Sequence, residues 1–345
     1  MCTRFKEGLE PFGKVGGTMG VRLIVEPRKV VSREEFFSAY PSFSIGGDGY
    51  VSGAPGLSPC GLKLVINHHE DCDGLATRSS CAQAYHLLPM GLFCTFKYRG
   101  QPRADIYVND SDWDVILMTY ALMHSKQLEN PRYKFRFKEI VYLEDVLDMS
   151  AGFYPIKKRW HLYKRLLWIG EAYAAARADK SLFTMEADAM HAMILQSHRR
   201  VRDTLYGRGK EIEPDVRFEI LEDFDQWQVI REIGAHARVA VAQRGIKAFV
   251  SLVAPRRGKN GYRYILARRS KFIDGFPVGL MCDMLNKEEG LDPHSDTCWG
   301  GNRDNVIGSP RPKCGSTLPP ERVIEIVKAA CDEQARRRAL DTPRP

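Results

Sequence analysis

The sequence predicts an α/β fold: an N-terminal lobe built on a parallel sheet, a helical linker, and a smaller mixed α/β C-terminal lobe. In the first half, apolar runs of about five residues are each followed by an acidic turn and then a helical segment, which is the order found in parallel sheets. Residues 155–207 carry apolar side chains at helical spacing. The last third alternates short strand-like runs with helical stretches, which is typical of a mixed sheet.

The chain has 345 residues, more than a typical single domain, so two domains are expected. The pattern divides it into an α/β domain over residues 1–150, a helical linker over 151–210, a second domain over 211–335 and a basic tail over 336–345. Gly207 and Gly209 mark the end of the helical region because glycine interrupts helices.

The individual elements follow from apolar runs and turn residues. In the first domain, strands are predicted at 21–25, 62–66, 104–108 and 139–143, a turn at 46–50, and helices from about residue 75 and residue 115. In the second, strands are predicted at 216–221, 248–253 and 262–267, helices at 225–244, 276–289 and 320–339, and a glycine-containing loop at 299–311. Pro320 suits the first turn of the last helix.

Composition limits the classes of function. The net charge of +8 favours an anionic partner, such as a phosphate-bearing molecule or a nucleic acid. No apolar run approaches the ~20 residues that cross a bilayer, so no membrane partner is expected. The first residues lack a hydrophobic signal core, and nine scattered cysteines fit reduced thiols. We therefore expect a cytoplasmic protein, with the formation of a homodimer left open.

The most informative segment follows the strand at 62–66. It reads His68-His69-Glu70-Asp71-Cys72-Asp73-Gly74, which places two imidazoles and three carboxylates at the end of one strand. Active sites and ligand sites of open α/β sheets lie at the carboxyl ends of strands, and these side chains are suitable ligands for a divalent cation. A metal site is therefore predicted here. The alternative is a polar, hydrogen-bonded turn.

Two further acidic clusters follow predicted strands, at residues 109–114 and 144–148. One aspartate of the first cluster can cap the helix that follows, but capping does not account for the others. Since carboxyl ends of parallel strands share one edge of a sheet, we expect Asp71, Asp73, Asp110 and Asp145 to converge on the metal.

These motifs resemble those of the DHH phosphoesterase superfamily over roughly residues 60–330. The run from His69 to Gly74 matches the opening His-x-Asp-x-Asp-Gly motif, and Asp110 matches the second. The third position, at Asp145, lacks the two histidines of the Asp-His-His motif. In an alternative alignment, Asn67-His68-His69 is the Asp-His-His motif itself, with Asn replacing Asp. The loop starting at Trp299 resembles the Gly-Gly-Gly-His loop of the accessory DHHA1 lobe, without its histidine.

The resemblance implies a DHH-like metal-binding domain, a DHHA1-like substrate-binding domain, and phosphoester hydrolysis by water activated on a divalent metal, with Mn²⁺ expected. The implied metal ligands are His69, Asp71, Asp73, Asp110 and Asp145, and the catalytic residues are His68, His69, Asp71 and Asp73. The implied substrate-binding residues are Arg268, Arg269, Trp299, Gly300, Gly301, Arg303 and Arg311. Arginine pairs with phosphate, a Gly-Gly backbone can cradle it, and tryptophan can stack on a base. The alternatives are an ordinary turn and a core tryptophan.

Two functions are compatible with these observations. The first is a metal-dependent phosphodiesterase that hydrolyses a nucleotide or a short oligonucleotide. The second is a catalytically weakened relative that binds a nucleotide or nucleic acid as a sensor or scaffold, which the incomplete histidine motif favours. The retained carboxylates favour the enzyme. A phosphate-bearing small molecule or a short nucleic acid is the expected partner in both cases.

Overall fold

A computed structural model describes residues 20–74, 76–253, 261–295, 297–310 and 315–341 of the chain. The strands are β1 (Val21–Val25), β2 (Val31–Ser32), β3 (Ser44–Gly47), β4 (Val51–Ser52), β5 (Gly56–Leu57), β6 (Lys63–Ile66), β7 (Lys97–Tyr98), β8 (Gln101–Pro102), β9 (Ala104–Val108), β10 (Phe218–Asp223), β11 (Gln228–Glu232), β12 (Ala248–Val253), β13 (Arg263–Arg268), β14 (Gly300–Asn302) and β15 (Val306–Gly308). The helices are α1 (Arg33–Ala39), α2 (Ser80–Leu87), α3 (Leu92–Thr95), α4 (Trp113–Met123), α5 (Pro131–Met149), α6 (Trp160–Ile169), α7 (Glu171–Asp179), α8 (Ala187–Leu205), α9 (Ala237–Gln243), α10 (Val278–Glu289) and α11 (Pro320–Asp341). Short 3₁₀ helices span Gln127–Glu129, Lys157–Arg159 and Ser181–Thr184.

The N-terminal lobe is built on a five-stranded sheet in the order β1-β9-β3-β6-β5. The first four strands run parallel, and β5 pairs antiparallel at the edge. The predicted parallel sheet is therefore confirmed, with β1 and β9 at their predicted bounds. Because four carboxyl ends lie at one edge, the residues after β3, β6 and β9 meet there.

The predicted turn at 46–50 is confirmed over residues 48–50, whereas Gly46 and Gly47 belong to the central strand β3. These glycines are buried, and they let neighbouring elements pack close to the sheet. A Cβ at Gly46 would lie 2.4 Å from Val51 Cγ2, and a Cβ at Gly47 would lie 2.2 Å from Met118 Cε. No larger residue fits at either position without displacing these side chains. Asp48 follows Gly47, the last residue of β3, and therefore lies at the carboxyl edge of the sheet.

Helices α2, α4 and α8 pack against the N-terminal sheet, and α5, α6 and α7 pack on those helices in the same hydrophobic cluster. The predicted strand at 139–143 was wrong, because these residues lie within α5. Asn130 caps this helix by accepting a hydrogen bond from the Arg132 amide, and Pro131 occupies its first turn. The predicted helix from about residue 75 begins at Ser80, in α2.

The predicted helical linker is helical, but its helices belong to the N-terminal core. Buried side chains of α6, α7 and α8, such as Leu166, Tyr173 and Ile194, pack in the same hydrophobic cluster as the strands β1, β6 and β9. Such packing makes residues 160–205 part of the first lobe, since a connecting linker would not bury its apolar face in one domain.

The C-terminal lobe contains a mixed six-stranded sheet in the order β10-β11-β12-β13-β15-β14. The strands β11 and β12 are parallel, and the other pairs are antiparallel. The predicted helix at 225–244 was wrong in its first half, which forms β11, whereas α9 occupies its second half. The strand β12 has its predicted bounds, and α11 extends to Asp341, through the first part of the predicted basic tail.

The two lobes contact each other near the end of α5. Phe153 packs on Phe249 with a ring-centroid distance of 4.8 Å. Arg238 Nη1 donates to Ala151 O at 3.0 Å, and Asn305 Nδ2 donates to Met149 O at 3.3 Å. A second contact joins Lys271 Nζ to Asp73 Oδ2 at 2.7 Å. Within the described part of the chain, no helix has both the length and the apolar character needed to cross a bilayer.

Candidate metal centre

Two strand ends bring Asp48, His68 and His69 together. His69 Nε2 lies 2.9 Å from Asp48 Oδ1, and His68 Nε2 lies 3.5 Å from the same oxygen. The buried Asn67 fixes this turn, because its Oδ1 accepts the amides of both histidines and its Nδ2 donates to Val51 O and Gly53 O. A carboxylate could not donate these last two hydrogen bonds, so asparagine is required at this position by the turn.

Helices α4 and α5 supply the other two members of the cluster. His68 Nε2 lies 2.9 Å from Asp148 Oδ2 and 3.6 Å from Asp114 Oδ2. Asp48, His68 and His69 form one group, and His68, Asp114 and Asp148 form another, with one ligand atom of each residue within 4.8 Å of the others in its group. We call these five residues the His68 cluster. Both groups share one imidazole nitrogen, which can bind one cation.

The N-terminus of α2 holds the floor of the His68 cluster in place. The amides of Ser80 and Cys81 each donate to a carboxylate oxygen of Asp114 at 2.7 Å. Ser80 Oγ donates to Asp48 Oδ1 at 3.0 Å. A helix N-terminus stabilises negative charge, so these contacts fix two carboxylates in orientation before any ligand binds.

The chemistry of the donors fits a divalent cation. Nε2 of His68 and Oδ2 of Asp148 are buried atoms only 2.9 Å apart, yet neither has a hydrogen-bond partner of acceptable geometry. The side chains of Asp48 and Asp114 are nearly fully buried, whereas those of Asp148 and His69 are 25% and 48% exposed. Carboxylates with imidazoles suit Mn²⁺, Fe²⁺ or Zn²⁺ better than a thiolate-selected ion. The cluster therefore can hold a metal ion, with one side open to solvent.

Charge repulsion among the carboxylates is pronounced. Burial, together with the charges of Asp48 and Asp148, raises the pKa of Asp114 to about 7. Burial and the same neighbours hold the pKa of Asp112 and of Glu144 well above their ordinary values. A cation at the His68 cluster would relieve this repulsion, because opposite charge favours the ionised carboxylates.

The carboxylates of the cluster also shift the pKa values of His68 and His69. Burial alone would lower the pKa of His68, but the carboxylates of Asp148 and Asp48 raise it to about 11. The hydrogen bond to Asp48 raises the pKa of His69 against the effect of burial. Although burial opposes it, these two histidines lower the pKa of Asp48. Protons on the imidazoles thus balance the carboxylates, and a bound metal would replace at least one of them.

The predicted metal ligands separate into two sets. His69 belongs to the His68 cluster, and His68, predicted as catalytic, is its centre. Asp110, predicted as a ligand, belongs to neither group of the His68 cluster; it is half-buried, and its pKa is raised by burial, with a contribution from the charge of Asp48. Asp112 caps α4 by accepting from the Val115 amide, so capping accounts for one aspartate as expected.

The other three predicted ligands lie elsewhere, which corrects the predicted convergence. Asp71 is exposed, in a left-handed turn with φ of 51°. Asp73 is exposed and pairs with Lys271. Asp145 is buried, but its carboxylate accepts from Arg78 Nη1 at 2.8 Å and from the Ser79 amide at 2.9 Å. Asp145 therefore anchors the chain before α2, and neither group of the His68 cluster contains these three residues.

Some of the predicted substrate-binding residues of the second lobe are buried, and others are exposed. Trp299 is 1% exposed and stacks on Tyr264 at 5.8 Å between ring centroids, so it is a core residue and cannot stack on a base. Arg268 is buried and donates to Asp304 O at 2.6 Å. Arg269 is half-buried, with its guanidinium over the ring of Phe153. These three corrections follow from burial, which sequence spacing does not reveal.

Three predicted residues are exposed or partly exposed at the surface of the C-terminal lobe. Gly300 and Gly301 are in the edge strand β14, and a Cβ at Gly74 would lie 3.6 Å from Nδ2 of the neighbouring Asn302. Arg303 is half-exposed and pairs with Asp283 at 2.7 Å. Arg311 lies outside the described residues.

Sequence reasoning missed Asp48, Asp114 and Asp148 as ligands. Asp114 and Asp148 stood in the recognised acidic clusters, where a neighbouring aspartate was chosen instead. Asp48 followed a glycine pair that was interpreted as a turn. Comparison of the chain with family models, with curated proteins and with solved structures finds no match in any of the three.

Proposed function

We propose that the protein is a metal-dependent phosphoesterase that hydrolyses a phosphodiester of a nucleotide or short oligonucleotide. The observation that carries the proposal is the His68 cluster, in which three carboxylates and two imidazoles converge at the carboxyl edge of a parallel sheet. One side of it is open to solvent, and the net charge of +8 favours an anionic substrate.

The residues would divide the work according to their contacts. Asp48, Asp114 and His68 would hold the cation, because Ser80 and the amides of α2 already fix both carboxylates. His69 and Asp148, which are more exposed, would face the substrate. A bound divalent cation supplies Lewis acidity and lowers the pKa of a coordinated water. Manganese is our first choice because its preferred donors are oxygen with some nitrogen.

The geometry also supports one of the two alignments with the DHH superfamily. His68 and His69 reach the cluster, as the Asn67-His68-His69 alignment requires, whereas Asp71 and Asp73 of the other alignment do not. The asparagine in place of aspartate has a local reason, the two hydrogen bonds that its amide donates. No histidine precedes His68 in the sequence, so this alignment leaves the opening motif without its histidine, and the member of the His68 cluster that lies upstream is Asp48.

The test is hydrolysis of bis(p-nitrophenyl) phosphate and of a short oligonucleotide, with and without Mn²⁺. We expect turnover that requires the metal. Asp148→Asn should reduce it by at least 100-fold, whereas Asp188→Asn, an exposed carboxylate at the start of α8, should not change it. Metal binding without turnover in the wild type would favour the sensor or scaffold. Turnover that survives in Asp148→Asn would contradict the proposed site.

A further inference from the structure

The opening of α5 alternates cations with aromatic rings, since residues 131–138 read PRYKFRFK. Arg132 and Lys134 lie in the first turn, which contains no acidic residue. A helix N-terminus carries partial positive charge, so cations are unfavourable there. The pairs Arg132–Arg136 and Lys134–Lys138, each four residues apart, add repulsion between like charges. The charges of this helix therefore oppose its stability, which is typical of a segment that serves a function.

One of these four cations has a structural role. Arg136 Nη1 donates to Leu205 O at 2.5 Å, at the end of α8. The side chains of Arg132, Lys134 and Lys138 are exposed, and no carboxylate of the described residues forms an ion pair with them. Their charge is therefore available to an anion outside the chain.

An aromatic ring stands among these cations. Phe135 is 66% exposed, and Arg132 and Lys138 flank it one turn away on either side. The opposite face of α5, which includes Phe137 and Ile140, is buried in the core of the N-terminal lobe. The core thus fixes α5 by its inner face, and Phe135 projects from the outer face. A single exposed phenylalanine is common, but this one adds an apolar contact to a group of cations.

The basic surface continues beyond α5. The guanidinium carbon of Arg159 lies 4.6 Å from the ring centroid of Tyr142, so the 3₁₀ helix Lys157–Arg159 lies against the outer face of α5. Lys157 and Lys158 of that helix are exposed. We call six residues the α5 face: Arg132, Lys134, Phe135, Lys138, Lys157 and Lys158.

Few carboxylates offset this charge. Glu139 pairs with Arg159 at 3.9 Å, and Glu129 is exposed just before the helix. Glu144 and Asp145 are buried on the inner side of α5. Helix α2, which packs beside α5, contains no acidic residue. The α5 face therefore presents five cations against the carboxylate of Glu129.

These features fit the surface of an anionic bilayer. Basic side chains are attracted to acidic lipids, and an exposed aromatic ring inserts at the boundary between headgroups and acyl chains. Single-stranded nucleic acid instead uses a groove with several free rings. Here Arg159 covers the ring of Tyr142, and Tyr133 packs on Tyr206 with ring centroids 4.9 Å apart. Protein interfaces are depleted in lysine, which supplies four of the five cations.

We propose that the α5 face attaches the protein to membranes that contain acidic phospholipids. Phe135 inserts between the headgroups, while Lys134 and Lys138 pair with lipid phosphates. Asp148 lies about 20 Å from Phe135 along the axis of α5, so the attachment site is separate from the His68 cluster. The proposal does not depend on phosphoesterase activity. The expectation of no membrane partner concerned spanning segments, and attachment to a surface needs none.

The test is co-sedimentation of the protein with vesicles of phosphatidylcholine and phosphatidylserine in equal parts. We expect binding at about 0.1 M salt that is lost at about 1 M, where the Debye length has fallen from about 10 Å to about 3 Å. Phe135→Ala should weaken binding by roughly 5- to 20-fold, because it removes a partly inserted ring. Lys134→Gln combined with Lys138→Gln should weaken it by roughly 25-fold, since each cation near the surface contributes about 5-fold.

Matched controls separate membrane contact from general effects on the protein. Phe272→Ala removes a ring that is 77% exposed in the C-terminal lobe, and it should leave vesicle binding unchanged. The lysine double variant relieves repulsion within α5, so its urea midpoint should equal or exceed that of the wild type. Vesicles of phosphatidylcholine alone should bind much more weakly than the mixed vesicles.

Three results would overturn the proposal: no binding to the mixed vesicles, equal binding to both kinds of vesicle, or unchanged binding in either Phe135→Ala or the lysine double variant. A fluorescent single-stranded oligonucleotide is tested in parallel by anisotropy. If the oligonucleotide binds and the lysine double variant weakens it, while the vesicles are not bound, the α5 face is a nucleic-acid surface and the proposal fails.

Discussion

His198 allows a quantitative prediction about stability that is independent of the metal centre. This histidine of α8 is 4% exposed, and its Nε2 lies 3.0 Å from Thr119 Oγ1. Because the Thr119 hydroxyl donates to Val115 O at 2.7 Å, it accepts from His198, and the Nδ1 of His198 carries no proton. Burial, with a smaller contribution from His124, lowers the pKa of His198 to about 3.

The direction of the pH effect follows from that value. Below the ordinary pKa of about 6.5, the unfolded chain takes up a proton that the folded protein takes up only near pH 3. The free energy of unfolding therefore falls as the pH drops from about 6.5 to 3. By pH 5 the loss from this one site is about 2 kcal/mol, and at most about 1.4 kcal/mol is lost per pH unit.

The assay is urea unfolding of the wild type and His198→Gln at pH 7 and pH 5. Glutamine can keep a donor near Thr119 but does not titrate. The wild type should lose about 2 kcal/mol more than the variant between the two pH values. Both proteins retain every other titrating group, including His124, so the difference isolates His198. Parallel pH dependence in the two proteins would refute the assignment of a buried neutral imidazole.

Further predictions concern residues whose sequence-based and structural roles differ. Asp145→Ala should lower the free energy of unfolding by about 1.5–3 kcal/mol, since the Ser79 amide loses a charged acceptor, and the urea midpoint measures this. Ser80→Ala should weaken Mn²⁺ binding by roughly 10- to 100-fold through the freed Asp48, as measured by calorimetric titration, and unchanged affinity would contradict that role. Trp299→Ala should cost about 3–5 kcal/mol of stability, and an unchanged midpoint would show that the ring is not core.

Strands with clear apolar runs were predictable from the sequence. The elements β1, β9 and β12 match their predicted bounds, because each is a run of five or six residues that contains a single polar residue and is otherwise apolar or aromatic. The segment at 139–143 was misassigned because the window was too short. Phe137, Ile140, Val141, Glu144 and Leu147 are all buried at helical spacing, a pattern that appears only over two or more turns.

The sequence indicated where the candidate site lies and which types of residue form it, but it did not identify which aspartates take part. His68 and His69 marked the edge of the sheet, since histidines directly after a buried strand are uncommon in an ordinary turn. The choice of Asp145 over Asp148 failed because both stand in one acidic run of a helix, and only the packing of α5 decides which reaches His68. Asp48 was not recognised as a ligand because Gly46 and Gly47 before it indicated a turn. In the structure these glycines lie in the central strand, where side chains of other segments leave no room for a Cβ atom, and the sequence alone does not show that packing.

The central claim is that a divalent cation binds at the His68 cluster and not at the exposed aspartates that follow it. Calorimetric titration of Mn²⁺ into wild type, Asp148→Asn and Asp71→Asn tests it most directly. Asp148 has an unpartnered carboxylate oxygen beside His68, whereas Asp71 lies in an exposed left-handed turn that asparagine tolerates well. We predict that Asp71→Asn binds Mn²⁺ as the wild type does and that Asp148→Asn binds at least 10-fold more weakly. Loss of binding in Asp71→Asn with retention in Asp148→Asn, or no binding by the wild type, would contradict the account.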